Sequence, residues 1–377
     1  MPSRLLVLAP LMLGLLAAAE PVGFRGDGSG RYPEADAPTA WAPDRAVVWK
    51  TAMPDWSNAS PVLVGDRIFV CAEPATLVCV AVADGKILWQ DTLPSLPQPA
   101  PKTHEANGYT SATPVSDGKR VWAVFGQGLA ACWDVAGKRQ WAVTLEKPPN
   151  GWGSCISPRL AGGVVAVQFD SLYGLDPATG KERWKLKTPW GWGTPVVAEV
   201  GKKQLLVTCK GVVVDPASGK ELSKGMPQLE YNSPALVDGV VYFLQQKPQA
   251  FALPAFKALW QAPDIAGDRY YATPLVHDGL VYAINQQKNL SVLDAKTGAR
   301  IYEKKLEHIQ GTIYPSPTLG GKFIYISGEQ GQTLVLTPGR EYAEVARNSL
   351  EPFRSCPVFL GKRMYLRGQK NLWCIGE

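Results

Sequence analysis

Residues 157–184, SPRLAGGVVAVQFDSLYGLDPATGKERW, hold four short β-type runs joined by turn chemistry. Ser157-Pro158-Arg159-Leu160 reads as an innermost strand, since proline is tolerated on an edge that has no ladder partner to donate to. Gly162-Gly163 makes a hairpin turn, residues 164–167 a second strand and residues 172–175 a third. Asp176-Pro177-Ala178-Thr179-Gly180-Lys181 is a turn whose glycine can take positive φ, and Glu182-Arg183-Trp184 is the outer strand. Four short antiparallel strands in this order make one blade of a β-propeller.

The unit recurs. A Ser/Thr-Pro-type element followed by a Gly-bearing turn appears at Pro61, Pro114, Pro158, Pro195, Pro234, Pro274, Pro317 and Pro357, with spacings of 53, 44, 37, 39, 40, 43 and 40 residues. A period of about 40 residues built from short strands is a propeller period, one blade per repeat. The turn returns as Asp84-Gly85-Lys86, Ala136-Gly137-Lys138, Ser218-Gly219-Lys220 and Thr297-Gly298-Ala299. The outer aromatic returns as Trp89, Trp141, Trp184, Trp260 and Tyr302, while blades four (Leu222) and seven depart from the pattern. Such a ring at a fixed place can wedge between neighbouring blades. The last repeat stops after its third strand at Leu372-Trp373-Cys374-Ile375, and an orphan outer strand, Val47-Val48-Trp49-Lys50, precedes the first. Pairing the two removes an open sheet edge. The expectation is an all-β, eight-bladed propeller of four-stranded antiparallel blades, closed by the N-terminal strand in the last blade.

The opening residues carry Arg4, an apolar stretch over residues 5–16 and Ala17-Ala18-Ala19, the layout of a cleavable secretory signal. That divides the chain into a leader (1–19), an N-terminal extension (20–40) and the propeller (41–377), and places it in the periplasm or outside the cell. No later run is apolar for the roughly 20 residues of a membrane span. The net charge of +6 is small and dispersed, which argues against nucleic acid as a partner. Seven cysteines invite a disulfide reading. The repeat places three of them in one slot of the third strand, held in turn by Cys79, Cys132, Gly174, Val213, Ala252, Val292, Val335 and Cys374. Cysteine there is a compact buried hydrophobe. A Cys71–Cys79 bridge stays open, as do the states of Cys155, Cys209 and Cys356.

The strand-turn-strand unit LYGLDPATGKERW resembles the repeat of pyrroloquinoline-quinone (PQQ) type propellers. That superfamily includes quinoprotein alcohol dehydrogenases and the non-enzymatic BamB-type outer-membrane assembly proteins. Phe24-Arg25-Gly26-Asp27-Gly28-Ser29-Gly30, Val48-Trp49-Lys50, Ser60-Pro61-Val62, Gly65-Asp66-Arg67-Ile68-Phe69 and His104-Glu105-Ala106-Asn107-Gly108-Tyr109 are similar to exported PQQ-binding-like β-propeller repeat proteins. Two departures stand out. The chain has no Cys-Cys dipeptide of the kind dehydrogenases carry beneath their cofactor, and no counterpart of their calcium ligands or catalytic Asp can be placed.

No catalytic or metal motif appears: three histidines (His104, His277, His308) show no HExxH spacing, and there is no CxxC, Walker loop or GxSxG elbow. His277 falls in a turn and is expected to be solvated. The glycines of residues 26–30 precede no helix and read as a flexible linker. What remains is positional. An aromatic stands three to six residues before each repeat proline: Trp56, Tyr109, Trp152, Trp190 with Trp192, Tyr231, Tyr270 with Tyr271, Tyr314 and Phe353. Polar companions are Asn58, His104, Asn107, Glu230, Asn232, Asp268, Arg269 and Arg354, and the long Pro-rich connection after blade one delivers His104 and Asn107 to the same face. Taken singly, each ring is more simply a wedge between blades; taken together they suit a ring-lined mouth. The expected binding residues are His104, Asn107, Tyr109, Trp152, Trp192, Tyr231, Tyr271 and Arg354. The leading expectation is a monomeric, non-catalytic binding or assembly module with a protein or polysaccharide partner at this face and no cofactor. The alternative, which the resemblance supplies, is a PQQ- and calcium-dependent alcohol or sugar dehydrogenase or a degenerate descendant. The opposite face, built of tight Gly turns, is expected to leave little room for a pocket.

Overall fold

The computed structural model describes residues 21–94 and 102–377. The leader and the Pro97-Pro99-Pro101 stretch of the first interblade connection lie outside the described residues. Eight antiparallel blades surround one axis, with no helix among the described residues. Blade three follows the sequence reading closely: Arg159–Ala161, Val164–Gln168, Leu172–Leu175 and Glu182–Leu186, paired in that order. Its type is local in origin. Gly162 and Gly163 (φ +56° and +76°) give the doubly left-handed tight turn that matches strand twist.

Ring closure is as expected. Blade eight takes Val358–Leu360, Arg363–Arg367 and Asn371–Gly376 from the C-terminus and Val47–Ala52 from the N-terminus. Val47 stands opposite Ile375, Trp49 opposite Cys374 and Thr51 opposite Leu372.

The outer-strand tryptophans do two jobs. Within a blade each stands opposite the small slot of the third strand: Trp89 on Cys79, Trp141 on Cys132, Trp184 on Gly174 and Trp49 on Cys374. In blade five the residue opposite Trp260 is Ala250, so Ala252 is two positions out of register. The cause is that blade's connection, Leu253-Pro254-Ala255-Phe256, which lacks the Gly-Lys turn used to set the alignment. Between blades, each indole N–H donates to a carbonyl in the next blade's turn: Trp49 to Val82 (3.1 Å), Trp89 to Val135 (3.2 Å), Trp141 to Pro177 (3.0 Å), Trp184 to Pro216 (2.8 Å) and Trp260 to Ala295 (2.9 Å). The indole also lies on the glycine of that turn; a Cβ on Gly180 would sit 2.6 Å from Trp141. All seven cysteines are free thiols. Cys71 faces Leu77 and Cys79 faces Phe69, so the hairpin register does not bring that pair together.

The N-terminal extension departs from the linker reading. It is a hairpin inserted into the channel. Val22 bridges Ser116 of blade two, the chain reverses at Arg25 and Gly26, and Arg31–Tyr32 pairs in parallel with Thr318–Gly320 as a fifth strand of blade seven. Arg25, 2% exposed, donates Nη1 to the carbonyls of Thr273 and Pro317 and Nη2 to those of Ser29 and Pro274, at 2.9–3.2 Å. Tyr32 then packs on Phe359 of blade eight. A Gly/Ser/Asp composition reads as linker because nothing local orders it; here the ordering contacts come from blades two, three, six, seven and eight. On the face away from the interblade connections, Val22 helps line a hollow of about 390 Å³ with Leu63 and the Gly65-Asp66 turn, so that face is less flat than expected. His277 ends the inner strand of blade six and is half-buried, and burial lowers its pKa.

Candidate functional site

The Ser/Thr before each repeat proline has a physical role. Going round the axis, each backbone N–H donates to the side chain of the equivalent residue in the next blade. Ser60 donates to Thr113 (3.0 Å), Thr113 to Ser157 (3.0 Å), Ser157 to Thr194 (3.0 Å) and Thr194 to Ser233 (2.9 Å). Ser233 donates to Thr273 (3.4 Å), Thr273 to Ser316 (2.9 Å), Ser316 to the sulfur of Cys356 (3.3 Å), and Cys356 back to Ser60 (2.9 Å). The eight-membered circle is closed. It pairs N–H groups that would otherwise be buried without partners near the axis, each bond contributing about 1 kcal/mol. The following proline has no N–H of its own to satisfy.

Above this circle lies a cup of about 600 Å³, floored by the ring hydroxyls and by Phe24 of the inserted hairpin. Its wall is an arc of aromatic faces contributed by successive interblade connections. Trp190 and Trp192 meet edge-on at 4.6 Å, Tyr231 and Tyr271 edge-on at 5.1 Å, and Tyr271 stacks on Tyr314 at 4.8 Å. Arg354 lies over Tyr314 at 4.2 Å and Arg269 over Tyr231 at 5.6 Å. Asn107, Trp152, Trp192, Tyr231, Tyr271 and Arg354, six of the eight residues expected from sequence, line this cup. His104 stands at the rim, stacked at 3.9 Å on Trp152, which is 53% exposed. Tyr109 is outside the lining: its backbone N–H donates to Glu73 (2.8 Å) and its ring lies beside Gly126 between blades one and two. Phe353 and Tyr270 are buried wedges. The sequence reading missed Phe24, Asn150 and the floor hydroxyls. For the hydroxyls the signal was present in the Ser/Thr preceding every proline; for Phe24 it was hidden by the linker composition.

The charges at the mouth are mostly paired. Glu230 meets Lys210, and Arg354 reaches Glu329 at 2.7 Å while donating to the carbonyl of Ala106 (2.6 Å), which ties blade eight to the connection after blade one. Arg269 donates to the Tyr271 hydroxyl (3.2 Å) and has no ion-pair partner among the described residues. Beneath the floor, Arg25 and Arg159 are both buried; Arg159 donates to Pro195 (3.0 Å) and Phe24 (3.4 Å), and burial draws its pKa down to about 10. Burial pushes the Cys155 thiol in the wall up to about 12, which disfavours its thiolate form. Calcium takes six to eight oxygens including carboxylates. The lining offers one carboxylate, Glu230, already held by Lys210, and this donor set does not fit a calcium-supported quinone.

An eight-bladed ring with a plugged channel and an aromatic cup at one end is the class of protein that fold and site define. A family profile described as "Outer membrane protein assembly factor BamB" matches residues 36–254 and again 135–338, and the chain belongs to this family of PQQ-like repeat propellers. Among curated relatives, outer membrane protein assembly factor BamB of Moranella endobia is 24% identical over 302 residues, 77% of this chain and 65% of that one. Tetrathionate hydrolase of Acidithiobacillus ferrooxidans is 28% identical over 255 residues, 61% of this chain and 49% of that one. The chain thus spans about half to two thirds of these relatives' lengths. A europium-containing methanol dehydrogenase superposes with a TM-score of 0.72 at 12% identity, covering 92% of this chain and 88% of that one, a likeness of fold.

Proposed function

We propose that this protein is a non-catalytic binding or assembly propeller of the cell envelope, presenting its interblade-connection face to a protein or carbohydrate partner. The observation that carries the reading is the blind cup whose aromatic faces stack on one another yet stay half-exposed. Rings needed only as wedges would be buried, as Phe353 and Tyr270 are. Membership of a family described by an outer-membrane assembly factor supports an envelope location and a binding role. The dehydrogenase alternative keeps the support of fold likeness but lacks a calcium donor set. The test is photo-crosslinking in the native envelope from position 231 at the mouth and position 181 on the opposite turns. Crosslinks from 231, lost on Trp192→Ala with the ring still folded, are expected. Crosslinks from 181 alone, or dye-linked alcohol or sugar oxidation appearing on addition of calcium and PQQ, would sink the reading.

A further inference from the structure

We infer that the occupant of the cup is an acidic sugar: a short pyranose segment carrying at least one carboxylate, read by Arg269. This rests on the cup being the binding site, and adds the class of ligand.

The sign of charge comes first. Two of the three charged residues lining the cup are internally neutralised, Glu230 by Lys210 and Arg354 by Glu329. Arg269 is left, exposed, its guanidinium over Tyr231 and bonded only to a tyrosine hydroxyl. The floor adds to the same sign. Arg25 donates to the carbonyl of Thr273, a floor residue, and Arg159 to the carbonyl of Phe24, the residue that plugs the floor. These two buried cations are bonded to carbonyl oxygens, not carboxylates, and Arg25 Nε has no partner at all. Asp27 offsets them in part, but it is exposed and takes the backbone N–H and hydroxyl of Ser29. Buried charge is screened by salt far less than surface charge, so the cup favours an anion even at physiological ionic strength.

The shape and the polar groups then point to a sugar. A cup of about 600 Å³ closed at its base takes a compact ligand end-on, whereas a folded protein partner needs a broad surface. Flat apolar faces at several inclinations suit the C–H faces of pyranose rings. Between them stand polar groups with spare capacity. Asn58 and Asn107 use their amide N–H groups internally, on Ala106, Ser111 and Trp152, which leaves their side-chain carbonyl oxygens as acceptors for a ligand's hydroxyls.

The full-length protein is titrated, by tryptophan fluorescence and by calorimetry, with trigalacturonate, with the neutral trisaccharide maltotriose and with triglutamate. Trigalacturonate is expected to bind at least about tenfold tighter than maltotriose, the scale of one charge-assisted hydrogen bond. Arg269→Gln should remove most of that preference, the buried floor cations keeping the rest, and Arg269→Lys should retain more of it; the residue is exposed, so both variants should fold. Equal affinity for the charged and neutral sugars overturns the role of charge. An unchanged preference in Arg269→Gln overturns the role of that residue, and triglutamate binding as well as trigalacturonate overturns the sugar. If no sugar binds while crosslinks from position 231 persist, this inference falls and the binding mouth stands; crosslinks from position 181 alone remove both.

Discussion

At the residue scale, the Ser/Thr-Pro repeat shows how far a sequence pattern can be read without its partner. The prolines were legible as markers of an inner strand because proline's missing N–H is a local property. The hydroxyl before each one acts only on the neighbouring blade, so its circle around the axis was invisible until the blades were set side by side. Cys356 completes that circle as the one sulfur among oxygens. Glu73 does similar work between blades one and two. Its Oε1 accepts the N–H groups of Tyr109 and Thr110 (both 2.8 Å) and the Thr110 hydroxyl (2.6 Å). Burial nevertheless outweighs these bonds and raises its pKa above the ordinary glutamate value. A carboxyl raised in the folded state stabilises fully below its unfolded pKa and loses that stabilisation as pH rises through the folded one. Glu73→Gln, which keeps an acceptor oxygen, should therefore flatten the decline in stability as pH rises from about 4, the unfolded glutamate value, toward neutrality. Urea midpoints across that range check this. A variant with the wild-type slope, or one much weaker at neutral pH, would show that the charge itself holds the connection.

At the element scale, the blade is a unit because one tryptophan satisfies two constraints together. It covers the slot of its own third strand, and it caps the turn glycine of the next blade. The chain contains its own control. Blade four has Ser223 opposite the slot residue Val213, and the following blade's turn has no glycine, with Phe256 at φ +51° instead. Where the indole is missing, the room made for it is missing too. This coupling was half legible: the aromatic wedge followed from its fixed place, but the fifth-blade slot slipped to Ala252 because the turn chemistry that fixes register is absent there. Trp184 is the strongest case, since Gly174 beneath it has no side chain and its indole N–H is bonded to Pro216 at 2.8 Å. Trp184→Ala should cost roughly 3–5 kcal/mol, the usual range for truncating a large buried aromatic ring. The measurement is a denaturant midpoint; a loss under about 1 kcal/mol would mean the latch contributes packing that water replaces easily.

At the scale of the whole molecule, the N-terminal region closes the protein twice by different means. Residues 47–52 close the ring by completing blade eight, and this was legible because a missing strand at one end matched a surplus strand at the other. Residues 22–32 close the channel, and nothing in their composition announced it: three of the four carbonyls that Arg25 binds are 248, 249 and 292 residues away. The hairpin gives the cup its floor and stands between it and the far face. Because the ring-closing strand lies downstream and pairs independently, the plug should be separable from the ring. Gly30 tests this. It holds φ +73°, and a Cβ there would press into the Arg25 guanidinium, so Gly30→Ala both strains the backbone and displaces the side chain that anchors the hairpin. Arg25→Ala removes the same anchor without backbone strain, forfeiting four hydrogen bonds from one charged group, each of which can be worth about 1.5–3 kcal/mol. In both variants brief chymotrypsin digestion should cut at Phe24 or Tyr32 well before wild type does, while the remainder of the chain resists and melts cooperatively. An N-terminus as protected as in wild type would mean Arg25 does not hold the plug. A ring that opens together with it would mean the two closures are one.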